Sequence, residues 1–397
     1  MKGGALTTLA DVCESVRYGY TASASLDPCG PRFLRITDIV PDSLDWESVP
    51  YCEIDDSDRE RFALAAGDIV VARTGATVGY AKLIREPVDA VFASYLVRFR
   101  VDPERAHSAF VGRLVESQVY KSFVQSRVGG AAQPNASAPV LGSFQFRIPS
   151  RAAQTRIADV LSAYDELIEN NRRRMALLEQ AARLLYEEWF DRFRFPGHEH
   201  TRIVDGIPQA WERGVLNDIC TDIRETALPE DLEPDTPYIG LEHMPRRSIS
   251  LGEWATARTV TSTKHRYSEG DILFGKIRPY FHKVGIAITA GVASSDAIVI
   301  RPITDVLRGF VLMVVSSDRF IAEASQTMRE GSKMPRADWK LMAKYPVPLP
   351  PKGLLEHFSA TVTAITDQLR NLCFQNRNLK VARDLLLPRL MSGQIAV

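Results

Sequence analysis

Residues 270–277 read Gly-Asp-Ile-Leu-Phe-Gly-Lys-Ile. The first seven positions fit a phosphate-cradling loop, in which backbone N–H groups wrap the phosphates and the lysine reaches the outer ones. Ile277 stands where such a loop needs a hydroxyl for magnesium, and Pro279 argues against a helix starting at the lysine. The stretch reads better as a turn feeding a strand, so no nucleotide is expected there. His198-Glu199-His200 has chelating residue types, but it lies in a connecting segment rich in Pro and Gly, where imidazoles are ordinarily solvated. The cysteines (Cys13, Cys29, Cys52, Cys220 and Cys373) include no CxxC pair, which points to a reducing cytosol and to neither zinc nor a disulfide frame. No Ser/His/Asp or Cys/His set and no nuclease-like carboxylate cluster stands out. The NPPY or DPPY tetrapeptide of DNA amino-methyltransferases is missing, and so is a glycine-rich dinucleotide fingerprint. The expectation is no catalytic residue, no metal and no cofactor on this chain.

What remains is polar and basic loops at matching places in two halves of the chain. In the first half these are Arg73, Thr74, Gly75 and Thr77, then Ser94 and Tyr95, then Gln133 and Asn135. In the second they are Lys276, Arg278, Tyr280 and Lys283, then Ser294 and Ser295, then Lys333 and Arg336. Arg and Lys bond guanine O6 and N7, and Asn and Gln bond adenine N6 and N7, in the major groove. Lys, Ser and Thr also hold phosphates. Any one of these residues alone reads equally well as a solvated loop position; the matched sets are the signal.

The elements that carry these loops repeat as well. Leu9, Asp11, Val12 and Cys13 echo Leu216, Asp218, Ile219 and Cys220. Phe33 to Ile36 is matched by Tyr238 to Leu241, and Gly67-Asp68-Ile69-Val70 by Gly270-Asp271-Ile272-Leu273. Strand signals at 93–101 and 293–301 come next, then helix-like stretches at 107–127 and 304–328, and a Pro-flanked strand at 144–149 or 345–351. Each half then enters a long helix. From Gln154 to Trp189 the residues Ile157, Leu161, Tyr164, Ile168, Asn171, Met175, Leu178, Ala182, Leu185 and Trp189 alternate by four and three. From Leu354 to Leu390 the residues Phe358, Val362, Ile365, Leu369, Leu372, Asn376, Leu379, Arg383 and Leu386 do the same. A mean spacing of 3.5 is the seam of a coiled coil, and one polar residue per seam commonly fixes register. Arg172, Arg173 and Arg174 read as its solvated flank.

The expected fold class is α+β, with two small α/β domains separated by a long antiparallel two-helix coiled coil as a pseudo-two-fold internal repeat. The expected boundaries are 1–150, first domain; 151–192, first spacer helix; 193–210, linker; 211–351, second domain; and 352–397, second spacer helix and tail. The first rod would be about 54 Å long at 1.5 Å per residue. Parallel helices would force the linker to retrace that length at nearly full stretch, since about 17 residues span at most about 56–61 Å. Antiparallel packing needs no return.

Lys and Arg total 49 and Asp and Glu total 49, so the molecule is no polycation, and a nucleic-acid role needs charge segregated onto one face. No apolar run is long enough to span a bilayer and no signal peptide opens the chain, so a cytoplasmic, non-membrane protein is expected.

The pattern resembles the specificity subunit of type I restriction–modification enzymes across essentially the whole chain. The likeness rests on the domain–helix duplication and on GDIVVARTGATVG, IADVLSAYDELIENNRRRMALLEQAARLLYEEWF, FRFPGHE, GIPQAWERGVLNDI, GDILFGKIRPY and LLLPRLMSGQI. The resemblance implies a non-catalytic subunit whose two target-recognition domains each read half of a split site in double-stranded DNA. It implies helices that dock two methyltransferase subunits, with restriction (translocase) subunits joining that core. It also implies adenine N6-methylation, with S-adenosylmethionine, ATP and Mg on the partner subunits. Recognition loops vary freely in this family, so the individual loop residues rest on their own chemistry. A stand-alone DNA-acting enzyme and a protein-interaction scaffold are the competing readings.

Overall fold

The computed structural model describes residues 4–41, 44–128, 134–328, 334–392 and 394–395. They form two compact units, one of residues 1–169 with 378–397 and the other of residues 170–377. The division falls within both long helices, Arg151–Tyr186 and Lys352–Ser392, so each unit holds an α/β domain together with its own stretch of both helices.

In the first unit the central sheet has four antiparallel strands in the order Cys13–Tyr18, Leu96–Val101, Asp68–Ala72, Ala81–Leu83. Side chains alternate between its faces. Val97, Phe99, Val101, Ile69 and Val71 join the core beneath the helices Ser108–Val115 and Gln118–Arg127. Leu96, Val70 and Ala72 join a second core with Leu34 and Phe92 of the parallel pair Arg32–Leu34 and Ala90–Phe92. The second unit repeats the plan with a sheet ordered Cys220–Ile223, Ala297–Pro302, Ile272–Gly275, Val284–Ala287, Ser250–Leu251, and helices Arg308–Val315 and Asp318–Gln326. A second five-stranded sheet takes the place of the parallel pair.

The repeated residues have local structural causes. Asp68 accepts from the Ala65 N–H at 2.8 Å and takes both Arg100 nitrogens, Nε and Nη2, at 2.7 Å. Asp271 accepts from the Ser268 N–H and holds Arg301 in the same two-pronged way, all at 2.7 Å. The preceding glycines, Gly67 at φ 94° and Gly270 at φ 88°, occupy the left-handed region that a side chain disfavours. The Gly-Asp motif therefore closes a turn and pins it to the adjacent strand. Ser117 and Ser317 cap their helices by accepting from Tyr120 and Phe320 N–H groups at 3.4 and 3.2 Å. Cys13 and Cys220 are buried thiols donating to Leu9 and Leu216 carbonyls at 3.1 and 3.4 Å.

The helices are antiparallel within each unit. In the first, Ile157 and Leu161 share a core with Leu386 and Leu390, and Asp165 binds Arg383 at 2.6 Å. In the second, Asn171 meets Asn376, and Trp189 lies 5.7 Å from Phe358 between ring centroids. Every expected seam residue is buried or half-buried, Tyr164, Met175, Leu178, Leu185, Ile365, Leu379, Arg383 and Leu386 being half-buried. Residues 193–210 form the short pair Ile203–Val204 and Ile207–Pro208, and Phe193, edge-on, and Phe195, tilted, pack against Trp211 at 5.5 and 5.1 Å between ring centroids. The connecting segment is thus part of the second unit's core. Among the described residues no helix is long and apolar enough to cross a membrane.

Candidate functional site

The strand Asp68–Ala72 leaves its sheet at Arg73, and three backbone hydrogen bonds shape the loop beyond it. Arg73 N–H donates to the Tyr95 carbonyl at 3.0 Å, Ala136 N–H to the Arg73 carbonyl at 2.8 Å, and Gly75 N–H to the Pro134 carbonyl at 2.9 Å. The loop after the strand is thereby zipped to a segment some 60 residues on. In the second unit Lys276 N–H donates to Asp296 at 2.9 Å, Ala337 N–H to Lys276 at 2.8 Å, and Arg278 N–H to Pro335 at 3.0 Å. The same scaffold is built twice, and only its side chains differ.

In the first unit Arg73 donates from Nη2 to Asn135 Oδ1 at 3.3 Å while its guanidinium lies 4.7 Å from the Tyr18 ring centre. Tyr95 is 61% exposed. Ser94 N–H donates to the Tyr20 carbonyl at 2.8 Å, and Thr77 closes the tight turn Gly75–Thr77. Arg73, Thr74, Gly75, Tyr95 and Asn135 are therefore brought together by one network, with Ser94 beside Tyr95 in sequence and bonded to Tyr20. Gln133 lies outside the described residues.

In the second unit Arg336 pairs with Asp296 at 3.1 Å, and Lys276 donates from Nζ to the Ser295 carbonyl at 2.5 Å. Ser294 Oγ accepts from the Asp296 N–H at 3.2 Å. Tyr280 is 52% exposed with its ring against Phe281, and Arg246 stacks on the other ring of that pair at 4.2 Å. Arg278 is exposed and stands at φ 48°, in the left-handed region, where the first unit has Gly75 at φ 75°. Lys283 faces inward: Nζ donates to the Leu241 carbonyl at 2.5 Å, and burial, with Arg246 near, holds its ammonium below the usual range. Lys333 lies outside the described residues.

Sequence reasoning missed Tyr18, Asp296 and Arg246. Tyr18 had a usable signal, an aromatic residue ending a polar strand; Asp296 follows the candidates Ser294 and Ser295 but pairs with the distant Arg336, and Arg246 joins the site through Phe281, distant in sequence. Among the described residues no group of three or more His, Cys, Asp and Glu could hold a metal ion. The groups present are hydrogen-bond donors and acceptors and exposed aromatic rings on rigid turns, which suit reading a surface.

A strand-and-loop scaffold repeated in two units, each carrying part of a helix pair, defines a duplicated recognition protein. Residues 7–180 match the family described as the type I restriction modification DNA specificity domain. The MjaIX specificity subunit of a type I restriction enzyme from Methanocaldococcus jannaschii is 22% identical over 341 residues, covering 83% of this chain and 78% of its own. The EcoDI specificity subunit from Escherichia coli is 23% identical over 285 residues, covering 66% of this chain and 63% of its own. In fold, the chain is similar to the S subunit of a type I restriction–modification system from M. genitalium, with a TM-score of 0.57 at 15% identity over 98% of this chain and 96% of that one. The match to the specificity-domain family thus lies in residues 7–180, and the likeness to specificity subunits extends over most of the chain.

Proposed function

We propose that the chain is the non-catalytic, sequence-specific DNA-binding subunit of a type I restriction–modification system, and that each unit reads one half of a bipartite target. The observation that carries this is the pair of matching loop scaffolds with different heads: Arg73, Asn135 and Tyr95 in one, Lys276, Arg336 and Asp296 in the other. Identical scaffolds with different donors and acceptors suit two different half-site sequences. In this reading the long helices dock two methyltransferase subunits, and restriction subunits join them in the cytoplasm. The modification is N6-methylation of adenine, and S-adenosylmethionine, ATP and Mg are held by those partners.

The test is methylation-sensitive sequencing of DNA from cells carrying the complete system. Replacing residues 1–150 with the matching domain of a relative should change one half-site and leave the other. A change in both halves, or methylation independent of this subunit, overturns the reading. Purified chain with DNA and divalent metal should neither cleave nor methylate.

A further inference from the structure

The duplication supplies an internal control for a feature outside the reading loops. In the first unit a groove of about 430 Å³ is lined by Glu14, Ser15, Arg17, Glu60, Arg61, Arg98 and Arg100. Arg17 and Arg98 stand directly opposite each other on adjacent antiparallel strands. Like charges in that position repel and destabilise a sheet. Arg98 is 2% exposed. Its Nη1 donates to the Ala63 carbonyl at 2.6 Å, and its nearest carboxylate, Asp68, is 4.0 Å away and already doubly bonded by Arg100. The buried Nε of Arg98 has no partner.

The second unit does without this arrangement. Its Arg301 holds Asp271 as Arg100 holds Asp68, which fixes the alignment of the two strands. Two residues back from Arg301 is Val299, and opposite Val299 is Ile223. Both join an apolar core there. The fold therefore accepts an Ile–Val pair at the place where the first unit keeps two arginines. A buried guanidinium facing another, short of one counter-charge, is costly without a ligand to complete it. Glu14 and Glu60 are exposed, and with Asp68 behind Arg98 and Arg100 the groove has four guanidiniums against three carboxylates.

We propose that this groove is a phosphate-binding site peculiar to the first unit, in which Arg17 and Arg98 share an oxyanion with Arg100 and Arg61. Planar guanidiniums suit phosphate oxygens by two-pronged bonding. The phosphate is either a backbone phosphate of DNA, which rests on the recognition function proposed for the chain, or a free phosphate, which does not.

The experiment gives the first unit the second unit's residues, Arg17→Ile with Arg98→Val, in the full chain. Thermal unfolding is measured in inorganic phosphate and in chloride of matched ionic strength. Wild type should gain melting temperature in phosphate, and the double variant should lose that gain. Arg17→Ile alone, a change at an exposed position, serves if the double variant fails to fold, and should show a reduced gain. Equal responses of wild type and variant overturn the site. DNA binding over a salt series then separates the sources. A log–log slope shallower by about one assigns the site to the DNA backbone, since each neutralised phosphate adds about 0.9 to it. An unchanged slope with the phosphate response lost assigns it to a free phosphate. If the chain binds no specific DNA at all, the recognition reading fails while the phosphate arm still decides this site.

Discussion

Asn171 donates from Nδ2 to Oδ1 of Asn376 at 2.9 Å, and both side chains are buried. The two residues come from the two long helices, 205 positions apart, and each is the single asparagine of its seam. A polar pair in an apolar seam costs stability but penalises registers that leave either amide alone. Asn171→Leu should destabilise the second unit by about 1–3 kcal/mol, because Asn376 loses its buried partner. Asn171→Leu with Asn376→Leu should recover most of that loss. Denaturant melts of the two variants check this; equal destabilisation by single and double changes would show that the amide pair has no coupling.

The Gly-Asp turns give a comparison between copies. Asp68 is 1% and Asp271 3% exposed at the side chain. Removing Asp271 strands only Arg301, which is 39% exposed and rehydrates. Removing Asp68 also strands the buried Arg98. Asp68→Ala should therefore cost about 3–5 kcal/mol, as for a broken buried pair, and Asp271→Ala about 1.5–3 kcal/mol, as for lost charged hydrogen bonds. Limited proteolysis with unit-specific fragments reads the two separately.

These motifs also mark where the sequence was legible. The four-three stripe exposed the helix pair because a seam must repeat every 3.5 residues whatever the partner. The Gly-Asp strands were legible because a left-handed turn and a buried carboxylate each leave few residue choices. The loop clusters were only half legible. Arg73 and Asn135 stood out by type, yet the two backbone bonds that join their segments leave no periodic trace. The groove was hidden because Leu96–Val101 contains Arg98 and Arg100 at the two-residue spacing of an ordinary solvent-facing strand edge. Only the register opposite Arg17 shows that one of them is buried against a like charge.

His282 gives the second unit a pH dependence. It is buried, its Nε2 lies 2.8 Å from the Ser316 carbonyl, and Asp318 is 3.4 Å from Nδ1. Burial lowers its pKa, and Arg247 and Arg183 add to this; the Ser316 carbonyl and Asp318 oppose it without prevailing. The unfolded chain, near pKa 6.5, then takes up the proton more readily than the folded one. The contribution to stability is present above about pH 6.5 and is lost as pH falls through the lower folded value. His282→Asn, which tolerates the φ of 53° at this position, should lose less stability between pH 7 and 5 than wild type does. His265, also lowered by burial, should leave part of the dependence in place. Parallel pH profiles for the two proteins test the assignment to His282.

Arg278 combines strain with exposure. The backbone bond to Pro335 holds it at φ 48°, which costs a non-glycine residue about 1–2 kcal/mol, and the first unit places Gly75 at the matching point. Retaining an exposed arginine at a glycine position is explained if the guanidinium contacts the target. Arg278→Gly separates the two effects. Glycine relieves the strain but costs about 0.5–1 kcal/mol in chain entropy, so folding stability should stay level or rise by up to ~1 kcal/mol. Target binding should weaken by about 1–3 kcal/mol, with discrimination lost at one base pair if the contact is to a guanine edge. Uniform weakening across sequences would make it a phosphate contact instead. Unchanged affinity together with raised stability would remove Arg278 from the interface and leave the strain without a functional account. Equilibrium binding to a panel of single-base target variants, paired with thermal melts, measures both quantities on one protein.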